Sequence, residues 1–577
     1  MKIIVAREAG FCMGVKRALE MVVDWSRRRG PGVVTWGPLI HNPQVVSLLQ
    51  SHGIRSGREI DELGPGKTVF ISAHGISPAE RERLVRTGAR VCDASCPDVL
   101  KVQGIIKKYA ARGYATVIFG DPGHTEVKGL QGYAGEKGYV VENLGDVDRL
   151  PPLEKVLLVS QTTKSQEDYD RLSAAVREKF PEVEVAQTIC ASTRGRQGEL
   201  GRLLERVGAL VVVGGKNSAN TARLTAIARN RGLPVFQVET ATDLPLTELE
   251  GYRTVGVTAG ASTPNWLIQG VVDRLKEWSR DRRALPVRWF FRGLRLLVKG
   301  NVLVAAGALF LTLAVMLGMG LAPAPVPLAF SFLMIQAVYT VNLFADQRAL
   351  MVNAPYRYQF FRRNRRPLGL LAAAEVAVAV GLGLASGPGP AVLALLVVLT
   401  GVLYLFPVLP RKRGFRRLKD SPQFREVASS SGWAAITVGF PLTLAAAPVP
   451  FPSAVVGLLF VLGISLVRSI LFGVRDIQGD RLLGRGTVPL LLGRNRTKVL
   501  VVSLLLTIGA LIGFGLAEGW LRPPAFSMLA AIAYACLYLY LYHRRIVYEG
   551  LFQEVFVDTQ FILAGALSLL IRWLSWA

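Results

Sequence analysis

The sequence predicts two fold classes joined in one chain: an α/β first half of three similar parallel-sheet units, then an all-α membrane bundle of about nine transmembrane helices. Three observations predict this. Short apolar strands alternate with amphipathic helices as far as about residue 283, the pattern of parallel α/β sheets. Single cysteines recur at three strand-to-helix junctions, Cys12, Cys96 and Cys190, 84 and 94 residues apart. Beyond about residue 285 come apolar runs of membrane-spanning length, separated by arginine-rich or Pro/Gly-rich connectors.

Composition narrows the class. A chain of 577 residues is too long for one core. The net charge of +26 does not require nucleic acid, because much of it lies between the apolar runs, where the positive-inside rule places it. Five cysteines in this length do not form a disulfide framework. Cys92, at a strand end, and Cys536, within an apolar helix, read as inert thiols. The opening run Ile3-Ile4-Val5 is too short for a signal peptide, so the first half is expected in the cytoplasm.

In order along the chain, Ile3–Val5 is a strand, followed by Thr68–Ser72, Ala115–Phe119, Val156–Ser160, Ala209–Gly214 and Thr254–Val257. Helical spacing marks Pro78–Thr87, Asp98–Arg112, Gln166–Lys179 and Asn220–Arg231. The cysteines divide this half into units of roughly 1–95, 96–189 and 190–283. The repeat is architectural, with little similarity residue by residue.

The motifs sharpen this. Gly10-Phe11-Cys12-Met13-Gly14-Val15, Asp93-Ala94-Ser95-Cys96-Pro97 and Thr188-Ile189-Cys190-Ala191-Ser192 each carry one thiol at a helix start. Between and after them stand Ile40-His41-Asn42, Ser72-Ala73-His74-Gly75, Gly123-His124-Thr125-Glu126-Val127, Ser160-Gln161-Thr162-Thr163, Gly215-Lys216-Asn217-Ser218-Ala219-Asn220-Thr221 and Thr258-Ala259-Gly260-Ala261-Ser262-Thr263-Pro264. Taken alone, the three cysteines read best as buried structural thiols. With these blocks in order, residues 1–280 resemble the LytB/IspH family of 4-hydroxy-3-methylbut-2-enyl diphosphate reductases. The resemblance implies that Cys12, Cys96 and Cys190 hold a 4Fe-4S cluster at the centre of the three units. Three thiolates on a four-iron cube leave one iron open to a substrate oxygen. It further implies removal of the allylic hydroxyl with two electrons and protons, release of isopentenyl and dimethylallyl diphosphate, and ferredoxin or flavodoxin as electron donor.

The diphosphate needs donors. His41 and His74 fall just past strand ends, where parallel-sheet loops face a common crevice. Ser218, Asn220 and Ser262 lie in glycine-adjacent loops beside helix starts, where backbone N–H groups favour anions. By resemblance, His41, His74, His124, Ser218, Asn220 and Ser262 bind the diphosphate. Three of the five histidines therefore fall in these blocks, leaving His52 and His543 outside. Ala219 stands where some relatives carry another hydroxyl. Glu126 is the expected proton donor, its carboxyl pushed up by nearby negative charge, and Thr162 would place the substrate hydroxyl or a water in the relay.

Residues 284–299 form a basic and aromatic linker, with Arg288, Arg292, Arg295 and Lys299 among Trp289, Phe290 and Phe291. Basic groups with aromatics suit a lipid headgroup zone. The rival, a nucleic-acid patch, loses to the apolar run that follows directly. Nine spans are expected, at about 300–321, 326–345, 368–386, 390–409, 428–447, 453–474, 499–517, 525–542 and 559–576. Connectors after the even spans are basic: Arg357 to Arg366, Arg411 to Lys419, Arg475 to Lys498, and His543 to Arg545. Those after the odd spans are mostly Pro, Gly and Ala. The asymmetry places the even connectors and the α/β half in the cytoplasm of a multi-pass inner-membrane protein.

At the end of the sixth span, Asp476 and Asp480 are four apart and share a helical face. The second span ends in Asn342 and Asp346, again four apart. Carboxylates at a membrane boundary are costly unless they serve a cation or substrate. With Gly484-Arg485-Gly486-Thr487-Val488-Pro489-Leu490 after the second pair, residues 300–577 resemble the UbiA superfamily of intramembrane prenyltransferases. That implies Mg²⁺ and a prenyl diphosphate at Asn342, Asp346, Asp476 and Asp480, with Arg425 at a basic substrate-binding position. The first motif departs from the family, since a second aspartate is expected where Leu350 stands. Two rivals follow: a membrane-tethered reductase whose bundle is only an anchor or lipid-binding module, and a prenyltransferase with a redox-sensing soluble half.

Overall fold

The computed structural model describes all residues except 31, 58, 61–62, 282–284, 408–416, 418, 420–424, 484, 544–549 and 576–577. The start of the linker at 284, most of the Arg411 to Lys419 connector, Gly484, Arg545 and the last residue of the ninth expected span therefore lie outside the described residues. The chain forms two compact units, Met1–Asp281 and Arg282–Ala577.

The first unit contains β1 (Lys2–Val5), α1 (Met13–Arg29), β2 (Val33–Trp36), α2 (Pro43–Ser51), β3 (Arg55–Gly57), β4 (Thr68–Ile71), α3 (Pro78–Arg86), β5 (Arg90–Asp93) and α4 (Pro97–Ala110). Then come β6 (Ala115–Phe119), α5 (Thr125–Ala134), β7 (Gly138–Val141), α6 (Leu144–Asp148), β8 (Lys155–Ser160), α7 (Gln166–Lys179), β9 (Glu182–Val185) and α8 (Ala191–Leu204). It closes with β10 (Ala209–Val213), α9 (Ala219–Asn230), β11 (Val235–Val238), β12 (Thr254–Ala259) and α10 (Asn265–Asp281).

Three four-stranded sheets repeat one order: β3-β2-β4-β5, β7-β6-β8-β9 and β11-β10-β12-β1. Every pairing is parallel. The third sheet takes its fourth strand from the start of the chain, so β1 belongs with residues 209–259 rather than with the sheet that follows it. The central strands β6 and β10 are buried throughout, as expected of strands covered on both faces. Their neighbours end level with them, Trp36 beside Ile71, Phe119 beside Ser160 and Val213 beside Ala259. Each sheet thus opens a crevice between two central strands at their carboxyl ends, where a doubly wound sheet binds ligands.

The second unit is helical: α11 (Leu285–Lys299), α12 (Val302–Gly318), α13 (Pro325–Ala345), α14 (Gln347–Asn353), α15 (Pro355–Arg363), α16 (Arg365–Ala385), α17 (Pro388–Leu405) and α18 (Arg425–Ala434). A π-turn over Ala435–Gly439 leads to α19 (Phe440–Thr443), followed by α20 (Phe451–Leu482), α21 (Val488–Ala517), α22 (Phe526–His543) and α23 (Leu551–Leu574). Seven helices among the described residues are long and apolar enough to cross a membrane, or eight if the bent pair α11–α12 counts as one span. The expected nine is corrected for two reasons. The first candidate is a 17-residue helix whose lead-in is bent by 74°, at Asn301 in the left-handed conformation. The fifth, 428–447, is broken into short pieces by the π-turn. The sixth instead runs on to Leu482, so Asp476 and Asp480 ride on the spanning helix itself.

Candidate functional site

Six loops at the carboxyl ends of the central strands carry the candidate residues of the first unit. His41 lies after β2 and His74 after β4; His124 follows β6 and Thr162 follows β8; Ser218 and Asn220 follow β10, and Ser262 follows β12. The cysteines follow the fourth strand of each sheet and become helix N-caps: Cys12 on α1, Cys96 on α4 and Cys190 on α8.

Backbone bonds tie the two sets together. The N–H of Cys12 donates to the Ala261 carbonyl (3.1 Å), that of Cys96 to Ala73 (2.9 Å) and that of Cys190 to Thr162 (3.2 Å). Each thiol is therefore anchored at, or one residue before, a candidate ligand of the diphosphate or proton relay. A Cβ on Gly14 would stand 2.5 Å from the Cys96 Sγ, so glycine is what lets α1 approach that thiol. Burial pushes the Cys96 thiol up to about 11 and raises that of Cys190. A bound metal reverses this, because a coordinated thiol is deprotonated. Three soft sulfur donors at helix N-termini, where the dipole favours negative charge, fit an iron–sulfur cluster.

The three histidines cluster. His41 and His74 stack with centroids 4.2 Å apart, and His124 stands edge-on to both at 5.3 and 5.4 Å. Their ligating nitrogens all lie within 4.8 Å of one another. Burial, then the neighbouring imidazoles, holds His74 well below its ordinary value and lowers His124 to about 4. The Ser262 hydroxyl donates to the His41 carbonyl (3.1 Å) and to Ser218 Oγ (3.3 Å). The buried Nε2 of His74 and Nδ2 of Asn220 have no protein partner. Buried polar atoms are normally satisfied, so these two leave hydrogen-bonding capacity open beside the histidine cluster.

Glu126 sits in the first turn of α5 beside its N-cap, His124, whose Nδ1 accepts from the Glu126 N–H (3.2 Å). Its carboxylate accepts from the Thr162 N–H (2.7 Å) and hydroxyl (3.1 Å). Burial nevertheless pushes the carboxyl up to about 7, with Asp121 and Asp98 adding to the rise. The direction matches the expectation, but the leading cause is desolvation rather than neighbouring charge.

Sequence reasoning missed two supporting cations. Lys164, buried, pairs with Asp121 at 2.6 Å beside His124. Arg196, buried on α8, donates to the Gly10 carbonyl and to Ser192 Oγ, tying the Cys12 loop to the Cys190 helix. The available signal was a cation two residues past Thr162 and an arginine on the inward face of the Cys190 helix.

In the second unit, Asn342, Asp346, Asp476 and Arg425 line one cavity of about 220 Å³. Asp480 is fully buried and pairs with Arg425 (3.3 Å). Asp346 pairs with Arg485, with Lys419 (3.2 Å) and with Arg417 (3.7 Å), and Asp476 with Arg475 (2.7 Å). Leu350 packs among Leu343, Phe361 and Leu368. One turn on, Asn353 Nδ2 donates to Asp480 Oδ1 (3.1 Å). Mg²⁺ takes oxygen ligands at about 2.0–2.1 Å in near-octahedral geometry. The first motif does not fit it, since one expected ligand is an apolar side chain and the remaining carboxylate is held by three cations.

The geometry defines an α/β protein with a cysteine at a helix N-cap after the fourth strand of each of three sheets and a half-buried histidine cluster, followed by a helical bundle with a charged cavity. The LytB protein family matches residues 3–276, and the UbiA prenyltransferase family matches residues 362–549. The chain is 42% identical over 287 residues to the 4-hydroxy-3-methylbut-2-enyl diphosphate reductase of Opitutus terrae, which covers 48% of this chain and 99% of that protein. The solved reductase of Plasmodium falciparum is 29% identical, covering 50% of this chain and 89% of its own, with a TM-score of 0.46. A UbiA homolog from Archaeoglobus fulgidus is 16% identical over 48% of this chain and 98% of its own, with a TM-score of 0.37. The chain belongs to the LytB family and carries a UbiA prenyltransferase domain in its C-terminal half.

Proposed function

We propose that residues 1–281 are a 4-hydroxy-3-methylbut-2-enyl diphosphate reductase and that the second unit holds a prenyl diphosphate in a multi-pass membrane bundle. In the reductase step two electrons and two protons enter, the allylic C–O bond breaks, the oxygen leaves as water, and isopentenyl or dimethylallyl diphosphate remains. Cys12, Cys96 and Cys190 would hold a 4Fe-4S cluster, which when bound supplies the electrons and an open iron for the substrate oxygen. Ferredoxin or flavodoxin is the electron donor this reading implies. The single observation that carries it is the backbone link of each cysteine to a loop bearing a donor or relay residue.

The chain's own groups do the rest. His41, His74 and His124 receive the diphosphate together with Ser218, Asn220 and Ser262. His74 and His124, held low by burial, enter largely neutral and bind first as donors, and the arriving anion then favours their protonation. Glu126, its carboxyl pushed up to about 7 by burial, delivers a proton while Thr162 fixes both of its oxygens.

For the second unit, the cavity's mix of cations with Val338, Leu343, Leu405 and Phe472 supports an anionic head and an apolar chain. The basic connectors between the apolar helices support a multi-pass membrane location. The test is anaerobic purification of the full-length protein and Mössbauer spectroscopy with and without 4-hydroxy-3-methylbut-2-enyl diphosphate. One distinct iron that shifts on adding substrate is expected. No cluster, or one indifferent to the diphosphate, overturns the reductase reading.

A further inference from the structure

The membrane cavity carries more cations than its motifs require. Arg357, Lys419, Arg425, Arg468, Arg475 and Arg485 line it with four carboxylates, Asp346, Glu426, Asp476 and Glu554, while Asp480 and Asp558 pair with Arg425 and Arg468 from behind the wall. The placement of one cation is specific. The Lys419 ammonium lies 3.2 Å from Asn342 Oδ1 and 3.2 Å from Asp346 Oδ2, between the two remaining polar side chains of the first motif. Its side chain is 4% exposed, so it is built into the wall rather than reaching in from solvent.

A divalent ion at that spot would have to expel the ammonium, lacks a ligand at Leu350, and would face Arg417 and Arg485 across Asp346. Like charges in a low dielectric repel strongly. A phosphate anion meets the opposite situation. Guanidinium forks match phosphate oxygens and lysine binds them as a point charge. The apolar side chains of the same wall, Leu343, Leu350 and Phe472 among them, suit a hydrocarbon chain.

We propose that Lys419 is the resident cation of the first motif, and that this cavity binds a phosphate- or diphosphate-headed amphiphile without a divalent metal. The proposal rests on the reading of the second unit as a prenyl diphosphate site and deepens it. The head group could come from a prenyl diphosphate or from an anionic phospholipid, and the arms of the test separate them.

The experiment uses the full-length protein in phosphatidylcholine nanodiscs. The probe is a geranyl thiolodiphosphate with a photoreactive tail, whose cross-link is mapped by mass spectrometry to one unit or the other. Labelling of residues 282–577 is expected to reach half-saturation within about threefold in EDTA and in Mg²⁺. Lys419→Gln raises the half-saturation about tenfold or more in both, the size of a lost hydrogen bond to a charged group. Displacement of the probe by phosphatidylglycerol identifies a lipid head group as the occupant; resistance to it identifies the prenyl diphosphate. Labelling that requires Mg²⁺, or is indifferent to Lys419→Gln, overturns the proposal and leaves the prenyl diphosphate site standing. No labelling of the second unit in either condition overturns both.

Discussion

The two units treat their polar residues in opposite ways. In the α/β unit, His74 Nε2 and Asn220 Nδ2 are buried without protein partners, and the thiols of Cys96 and Cys190 are held up by burial. In the membrane unit, each motif carboxylate is already paired: Asp346 with Lys419 and Arg485, Asp476 with Arg475, Asp480 with Arg425. Deeper in the bundle Arg468 closes on Asp558 at 2.6 Å and donates to the Tyr339 hydroxyl (2.6 Å). The difference follows from the surroundings. A crevice among soluble sheets can keep unpaired donors because water or ligand completes them. The motif carboxylates of a bundle have no solvent to fall back on, so the chain supplies their counter-ions. One site keeps donors open, and the other has its motif carboxylates neutralised from within.

That contrast breaks hardest at the thiols. Cys190→Ser is expected to abolish turnover, a loss beyond the roughly 10–100-fold that follows removal of a metal's outer-shell partner. The check is iron content and the visible absorbance of the anaerobic protein. Retained iron with full activity would make Cys190 merely structural.

Next in size is Glu126→Gln. Turnover should fall by about 10²–10⁴ with the cluster spectrum unchanged. The sign of the pH effect follows from the raised carboxyl, near 7 in the folded chain. The proton is present below that value and lost above it, so wild-type turnover falls as pH rises through about 7. Wild-type turnover in the Glu126→Gln enzyme would remove this residue from proton delivery.

For the membrane unit the matching break is Asp558→Asn, which strands the Arg468 charge. Losing one partner of a buried pair costs about 3–5 kcal/mol, read as a lower melting temperature of the bundle in detergent. Replacing both, as Arg468→Met with Asp558→Leu, should restore most of it. Equal stability of the single variant and wild type would show that the pair is not holding the bundle.

The smallest effect is expected at His124→Asn. Asparagine keeps the N-cap but removes an imidazole from the cluster, so KM should rise about tenfold with little change in kcat. Because burial lowers His124 and a bound anion raises it, substrate binding takes up a proton. Wild-type KM therefore falls as pH is lowered toward about 6, the ordinary imidazole range, and the variant shows a shallower slope.

Much of the α/β unit was legible in order. Ala115–Phe119 and Gln166–Lys179 coincide with the strand and helix observed, because buried runs and 3.6-residue periodicity are strong local signals. The central strand β2 and the edge strands β3, β5, β7, β9 and β11 were given no bounds. β9, Glu-Val-Glu-Val, alternates between exposed and half-buried positions and is only four residues long. In the membrane unit hydropathy found the spans. It could not foresee the left-handed Asn301 that bends α11 from α12, nor the π-turn at Ala435 that divides the fifth candidate.

By itself the sequence determined the class of each half, the three thiols and the histidine and glutamate blocks, because these depend on residue type and short spacing. Only the tertiary structure decided that β1 completes the third sheet, that each cysteine N–H is held by a loop bearing a donor or relay residue, and that Lys419 stands between Asn342 and Asp346. Those contacts join residues as far apart in the chain as Lys2 and Thr254. Local propensity carries no information about which of many distant segments will close such a gap; packing and charge compensation across the whole fold do.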